Sequence, residues 1–365
     1  MRQLILHIGM HKTGTTSVQR SLDGLAQDRV KYVALGSSNH TGPMSIAFDD
    51  PDVKRRRAGP ERSAKQVEML KPQMRARLES DLANKDFDKF VISGEGMVFL
   101  SPKSLREVQA VARRYVDEVR VFAYARDPVG FASSALQQRI KGGYPGYDLT
   151  RPSYRNKFTP FIEIFGRENV SVKEFSRPAL KDGSVVVDFC HLWGIPFDPQ
   201  REVRSNESLA EPTMKLLHLF NRGGQPSLDN RMQKQARIAM VEAMGAHFKG
   251  KFDLPMRFRP GAIDRQDIAW LAQEFGIDFP VDASMGEVMP VREFEAFLDD
   301  IGTETVESYR DMLARRGIAV AAADQPIDLL NKHFQACLAE VPAPAPRQGP
   351  GAKRWLGAGL RALRP

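Results

Sequence analysis

Cysteine is scarce in this sequence: two in 365 residues, Cys190 and Cys337, far apart. Two distant thiols build no disulfide framework, so we expect them reduced and the protein cytoplasmic. Paired Cys/His spacing of the zinc type is missing, and no metal is expected. Long apolar runs are missing too; none approaches the roughly 18 residues that would suggest a membrane span. The chain enters a strand at Leu4, and we expect no signal peptide ahead of it. Aromatics are sparse at 8%, and the basic residues are dispersed rather than striped along one helix. That argues against nucleic acid as a partner despite a net charge of +8. A basic cleft for an anionic small molecule accounts for the charge equally well. Hydrophobic content of 42% and charged content of 27% are those of an ordinary folded protein, long enough to bury a large core.

What is present is an alternation. Strand-like segments fall at 4–9, 31–35, 88–93, 119–125 and 169–173. Helical patterns at 15–26, 61–84, 102–115, 128–141, 154–165 and 184–193 separate or follow them. The pattern predicts an α/β fold, a central parallel sheet flanked by helices in three layers. Ligands of such sheets bind beyond the carboxyl ends of the strands. Past residue 205 the pattern is helical, at 209–221, 230–248, 264–275, 291–314 and 325–339, with 249–263 as a connection. Segment 36–60 is rich in Gly, Pro, Ser and Asp and reads as a surface loop. Its run Lys54-Arg55-Arg56-Arg57 reads as a solvated face or as a contact to an acidic acceptor.

Residues 4–21, LILHIGMHKTGTTSVQRS, carry the most chemistry. A strand, a glycine-bearing turn and a helix start would turn several backbone N–H groups and a helix dipole onto one phosphate. An ATP-type loop reads GxxxxGK[ST]. Gly9 and Gly14 keep that spacing, but Thr15 stands where the lysine would be and the cation has moved to Lys12. A second anion grip follows strand 119–125: Arg126-Asp127-Pro128, with Ser134 eight residues after the arginine. The planar fork of arginine suits a phosphate monoester, and a serine two helical turns along adds a hydroxyl on the same side.

The first loop, H-I-G-x-x-K-T-G-T-T-S, resembles the 5′-phosphosulfate loop of the sulfotransferases, and Arg126 with Ser134 matches their 3′-phosphate motif. The stretch 170–195 and Asn206-Glu207-Ser208-Leu209 are similar to bacterial carbohydrate-type members. This resemblance implies a P-loop-like core at 1–205, a helical extension at 206–340 shaping the acceptor side, and a tail at 341–365. It implies 3′-phosphoadenosine 5′-phosphosulfate (PAPS) as sulfuryl donor, the bisphosphate PAP as product, and a saccharide or glycolipid hydroxyl as acceptor. Gly9, Lys12, Thr13, Gly14, Thr15, Thr16 and Ser17 would hold the 5′-phosphate, and Arg126 and Ser134 the 3′-phosphate. Lys12 would stabilise the leaving group. Sulfotransferases place a histidine or glutamate base after a central strand, and Glu95, in Ser93-Gly94-Glu95-Gly96, resembles that residue. Partial desolvation would make it a better proton acceptor. His11 is the second candidate for the base, since histidine titrates in the useful range. His7 alternates into the strand and is expected to pack within the sheet.

One departure stands out. The late Arg-Lys-Gly contact of familiar members is lacking, Arg259-Pro260-Gly261 being the nearest phrase. Lys141-Gly142-Gly143 reads as a rim over the cleft or as a simple helix end. The tail is a Pro/Gly linker followed by Trp355, Leu356, Leu360 and Leu363 against Lys353, Arg354, Arg361 and Arg364. That composition suits a peripheral contact with anionic lipid or a partner groove, or else a frayed or disordered end weakened by two glycines. Rival readings are a nucleotide-dependent kinase and a non-catalytic nucleotide-binding scaffold.

Overall fold

Six strands form one sheet in a computed structural model that describes residues 1–10, 12–48, 64–203, 208–223, 231–282 and 288–342. In chain order the elements begin β1 (Gln3–His7), α1 (Thr15–Leu22), β2 (Ala26–Gln27), β3 (Val30–Tyr32), α2 (Thr41–Phe48) and α3 (Ala64–Ala83). Next come β4 (Lys89–Ser93), α4 (Pro102–Ala112), β5 (Glu118–Ala125), α5 (Pro128–Lys141), α6 (Tyr154–Phe165), β6 (Val170–Glu174) and α7 (Val185–Trp193). Six further helices follow among the described residues: α8 (Glu211–Arg222), α9 (Arg231–His247), α10 (Arg265–Phe275), α11 (Val291–Asp299), α12 (Thr303–Arg315) and α13 (Pro326–Glu340). Strand order is β2-β3-β4-β1-β5-β6, and every pair except the β2–β3 hairpin is parallel.

Parallel strands covered on both faces read as nearly continuous apolar runs, because successive side chains enter two different cores. Leu4, Leu6, Phe90, Ile92, Val121 and Ala123 face one core, which α3, α4, α6 and α10 complete. Ile5, Val91, Phe122 and Tyr124 face the other, filled by Val18 and Leu22 of α1 and Val186 and Phe189 of α7. This is the expected layering of helix, sheet and helix. His7 lies within the sheet, fully buried among the rings of Phe122, Tyr124 and Phe189.

Three local expectations need correction. Within 36–60, residues 41–48 are helix rather than loop. The last five residues of α2 are all buried, so no one-sided apolar stripe marks it, and Pro43 sits in the first turn where proline is tolerated. The helix expected at 15–26 ends at Leu22; Ala26–Gln27 pairs instead with Val30–Lys31 through Asp28 and Arg29, both at positive φ. That is a two-residue hairpin lacking the Asn-Gly or Asp-Gly pair that usually announces one. The run 291–314 is two helices, with Gly302 at the N-cap of the second.

The chain divides into two compact units. Met1–Gly142, Gly146–Glu211 and Gly250–Leu298 form the sheet-bearing unit; Gly143–Pro145, Pro212–Lys249 and the residues described from Asp299 onward form the helical one. In the helical unit α9 packs along α13, Phe220 meets Phe334 at 5.4 Å, and the Tyr309 hydroxyl shares a 2.8 Å hydrogen bond with His333 Nδ1. No helix among the described residues is long and apolar enough to cross a membrane.

Candidate functional site

Beyond His7 the chain leaves β1, passes Gly9 and Met10, and enters α1 from Lys12–Gly14. Gly9 (φ 50°) and Gly14 (φ 72°) both need left-handed backbone. Space forbids a side chain at either. A Cβ on Gly9 would stand 2.7 Å from Thr15 Oγ1, and one on Gly14 2.7 Å from Val185 Cγ1. Lys12 also has positive φ, 71°, a conformation that L-residues adopt at a cost. Gly14 is the N-cap of α1 without a side chain of its own, and the first N–H groups of a helix have no partner inside it.

At the end of β5, Arg126 donates from Nη1 to the Lys12 carbonyl at 2.9 Å. This bond brings the two halves of the sequence pattern to one point beyond the adjacent strands β1 and β5. Arg126 is itself held on several sides. Tyr154 donates its hydroxyl to the Arg126 carbonyl, and the guanidinium lies 6.0 Å over the Phe175 ring. Burial lowers its pKa from the ordinary arginine value, an effect that the charges of Asp127 and Asp253 oppose. Asp127 caps α5 by accepting from Gly130 N–H at 2.7 Å, and Pro128 occupies the first turn.

Lys12 Nζ donates to Gln138 Oε1 at 2.8 Å. Gln138 lies one turn beyond Ser134 on α5, so the lysine reaches across to the helix face that carries that serine. Lys12, Thr16, Ser134 and Arg126 are all half-buried, and solvent reaches each of them. Thr13, Thr15 and Ser17 are buried; the Thr13 hydroxyl donates to Met10 O at 2.6 Å and lies 3.4 Å from Thr15 Oγ1. The Thr13 hydroxyl thereby braces the loop from within.

Glu95 begins a 3-10 turn, Glu95–Phe99, just past β4, and is half-buried. Its Cα lies 3.5 Å from the position a Cβ on Gly9 would take, and Gly94 N–H donates to the His7 carbonyl at 3.0 Å. The carboxylate-bearing turn therefore abuts the glycine that opens the Lys12 loop. His11, the Lys54–Arg57 run, Asn206 and Glu207, and the 353–365 tail lie outside the described residues. Ser208 is exposed, and Leu209 is buried with its N–H on Gln137 Oε1 at 2.8 Å. Gly142 closes α5, its N–H on Gln138 O at 3.0 Å.

Several residues around this edge carry no motif. Gln138 could have been found from its four-residue spacing to Ser134. Tyr154, Phe175 and Asp253 come from distant segments and leave no local signal. Segment 250–262 packs on α5, where Phe252 O accepts from Ser133 Oγ at 3.3 Å, and Arg259 within it donates to Leu254 O. An open groove of about 500 Å³ bordered by Arg155 and Trp270 shares no residue with this arrangement. The chemistry gathers on the strand ends instead: two cations, two helix starts and a carboxylate within one loop system. No family model, curated protein or solved structure matches the chain.

Proposed function

We propose that the protein is a PAPS-dependent sulfotransferase with a P-loop-like core, acting on a hydroxyl of a saccharide or glycolipid. One observation carries the reading: the Arg126 guanidinium is hydrogen-bonded to the carbonyl of Lys12. Two anion grips more than a hundred residues apart in sequence thereby lie side by side, as one doubly phosphorylated nucleotide would require. The absence of lysine after Gly14 favours this donor over ATP.

In the proposed reaction the acceptor oxygen forms a bond to sulfur while the bond from sulfur to the bridging phosphate oxygen breaks. The hydroxyl proton passes to Glu95, and PAP leaves with the bridging oxygen and its negative charge. Sulfuryl transfer asks little covalent chemistry of the protein, and positioning with charge stabilisation does most of the work. Lys12 neutralises charge growing on the leaving oxygen, having first given up Gln138 as its partner. The N-terminus of α1 and the loop N–H groups take the 5′-phosphate. Arg126 and Ser134 take the 3′-phosphate, and burial of the guanidinium strengthens its pull on an anion.

Calorimetric titration with PAP, ATP and AMP in metal-free buffer tests the donor. PAP should bind more tightly than either of the others. Arg126→Ala should lower PAP affinity by about tenfold or more, the worth of a charge-assisted hydrogen bond, and bring it close to that of AMP. Preference for ATP would overturn the assignment in favour of a kinase.

A further inference from the structure

Glu95 stands between two glycines, and the structure gives both of them the same neighbour. A Cβ on Gly94 would lie 2.8 Å from the backbone nitrogen of Thr41, and one on Gly96 only 2.2 Å from Thr41 Cγ2. Side chains are excluded on either side of Glu95 because the His40–Thr41 turn lies flat against this stretch of chain. Polar contacts fasten the two together. Thr41 Oγ1 accepts from Gly96 N–H at 2.9 Å, and His40 N–H donates to Ser93 O at 2.9 Å. Ser93 N–H donates in turn to His40 Nδ1 at 3.1 Å, so the imidazole continues the ladder that β4 has just left. Thr41 is itself set by Asn39, whose Oδ1 accepts its N–H at 2.9 Å, and the His40 ring packs 4.6 Å from the Tyr32 ring. The Gly9 backbone also closes on Glu95 Cα.

We infer that Thr41 is a positioning residue: its hydroxyl, held in place by the His40 turn, fixes the backbone that aims the Glu95 carboxylate. The inference rests on the reading of Glu95 as proton acceptor. A glutamate on an unrestrained turn would sample many directions, and a misplacement of about 1 Å can cost a hundredfold in rate. Thr41 touches no reacting atom. Its contribution is the single hydrogen bond to Gly96 N–H together with the methyl that fills the space left by the glycine.

The test compares Thr41→Val and Thr41→Ser with the unaltered full-length chain in three measurements. Amide exchange at Gly96 reports the turn, PAP affinity reports the donor grip, and PAPS hydrolysis reports the aim of Glu95. In that hydrolysis water takes the acceptor's place: its oxygen bonds to sulfur, Glu95 takes its proton, and sulfate and PAP are released. Thr41→Val should speed Gly96 exchange and slow hydrolysis, each by about tenfold, the worth of one part-buried hydrogen bond, and leave PAP affinity within about twofold. Thr41→Ser restores the hydroxyl and should recover most of the rate. Unchanged Gly96 exchange in Thr41→Val would overturn the inference, as would faster exchange with undiminished hydrolysis. Equal loss of PAP affinity and rate would overturn it too, because the whole site would then have loosened. Failure of the unaltered protein to bind PAP would sink the sulfotransferase reading instead, and Gly96 exchange would still decide whether Thr41 holds the turn.

Discussion

Beside β1 and β5 the candidate site is held by long side chains that reach across from one element to another: Arg126 to the Lys12 carbonyl, Lys12 to Gln138, Tyr154 to the Arg126 carbonyl. Beside β4 it is held by missing side chains, with Gly9, Gly94 and Gly96 letting three stretches of backbone close around Glu95. The first arrangement can yield, because a lysine or arginine that trades one partner for a phosphate swings about its own bonds. The second has less freedom, because Gly94 lies directly on the Thr41 backbone and Gly96 against the short Thr41 side chain, and neither contact can open without shifting an element. Such a division suits a site that must accept a large anion on one side and keep a proton acceptor still on the other.

The largest expected effect lies on the rigid side. Glu95→Gln keeps the shape of the side chain and removes its ability to take a proton. Turnover should fall by about a hundredfold or more, the usual range for losing a general base, with PAP affinity unchanged. A full rate in the variant would move the role to His11 and remove the functional contrast between the two sides.

A pair of glycine substitutions probes what each side tolerates. Gly96→Ala meets Thr41 Cγ2 at 2.2 Å, an atom absent from serine, ahead of Thr41 Oγ1 at 3.2 Å and Cβ at 3.3 Å. The alanine should cost about 2 kcal/mol as overpacking, most of it regained in combination with Thr41→Ser. Gly14→Ala meets Val185 Cγ1 but also carries a φ of 72°. It should cost about 2–4 kcal/mol, and Val185→Ala should leave at least the backbone share of about 1–2 kcal/mol unrecovered. Urea unfolding of the six variants, the four single substitutions and the two doubles, measures both cycles against the unaltered chain. Equal recovery at the two positions would mean that Gly14 is there for space alone.

Legibility in the sequence divided along similar lines. The apolar runs that became β1, β4 and β5 were plain because both faces of the sheet are covered. The β2–β3 hairpin and α2 were not, since one lacks turn glycine and the other is buried all round. Lys12, Arg126 and Ser134 stood out because phosphate chemistry demands particular residue types at particular spacings. Glu95 could be singled out by its place after a strand. His40 and Thr41 could not, because they sit in a stretch whose Gly, Pro and Ser content looks like loop. Their role depends on meeting β4 in space, and no local pattern records that meeting.

The smallest expected effect concerns His40 and runs through acidity. Burial lowers its pKa from 6.5 to about 4, partly opposed by the Val33 carbonyl and the Asp81 charge. Neutral Nδ1 accepts the Ser93 N–H, and a proton there would set donor against donor. Because the folded value lies below the unfolded one, the unfolded chain binds the extra proton first. The stabilisation is complete above pH 6.5 and is lost as pH falls from there toward about 4. His7, also buried and lowered to about 3, adds a decline of the same sign. His40→Asn keeps an oxygen where Nδ1 stood but cannot titrate, whereas His7 remains in both proteins. The stability difference between wild type and His40→Asn should therefore shrink by about 1 kcal/mol for each pH unit below 6.5, the linkage slope of one proton. Urea midpoints at pH 7.5, 6 and 5 measure it. Parallel curves would show that His40 is protonated as readily in the folded chain as in the unfolded one, and the β4 side of the site would then be less tightly closed than its glycines imply.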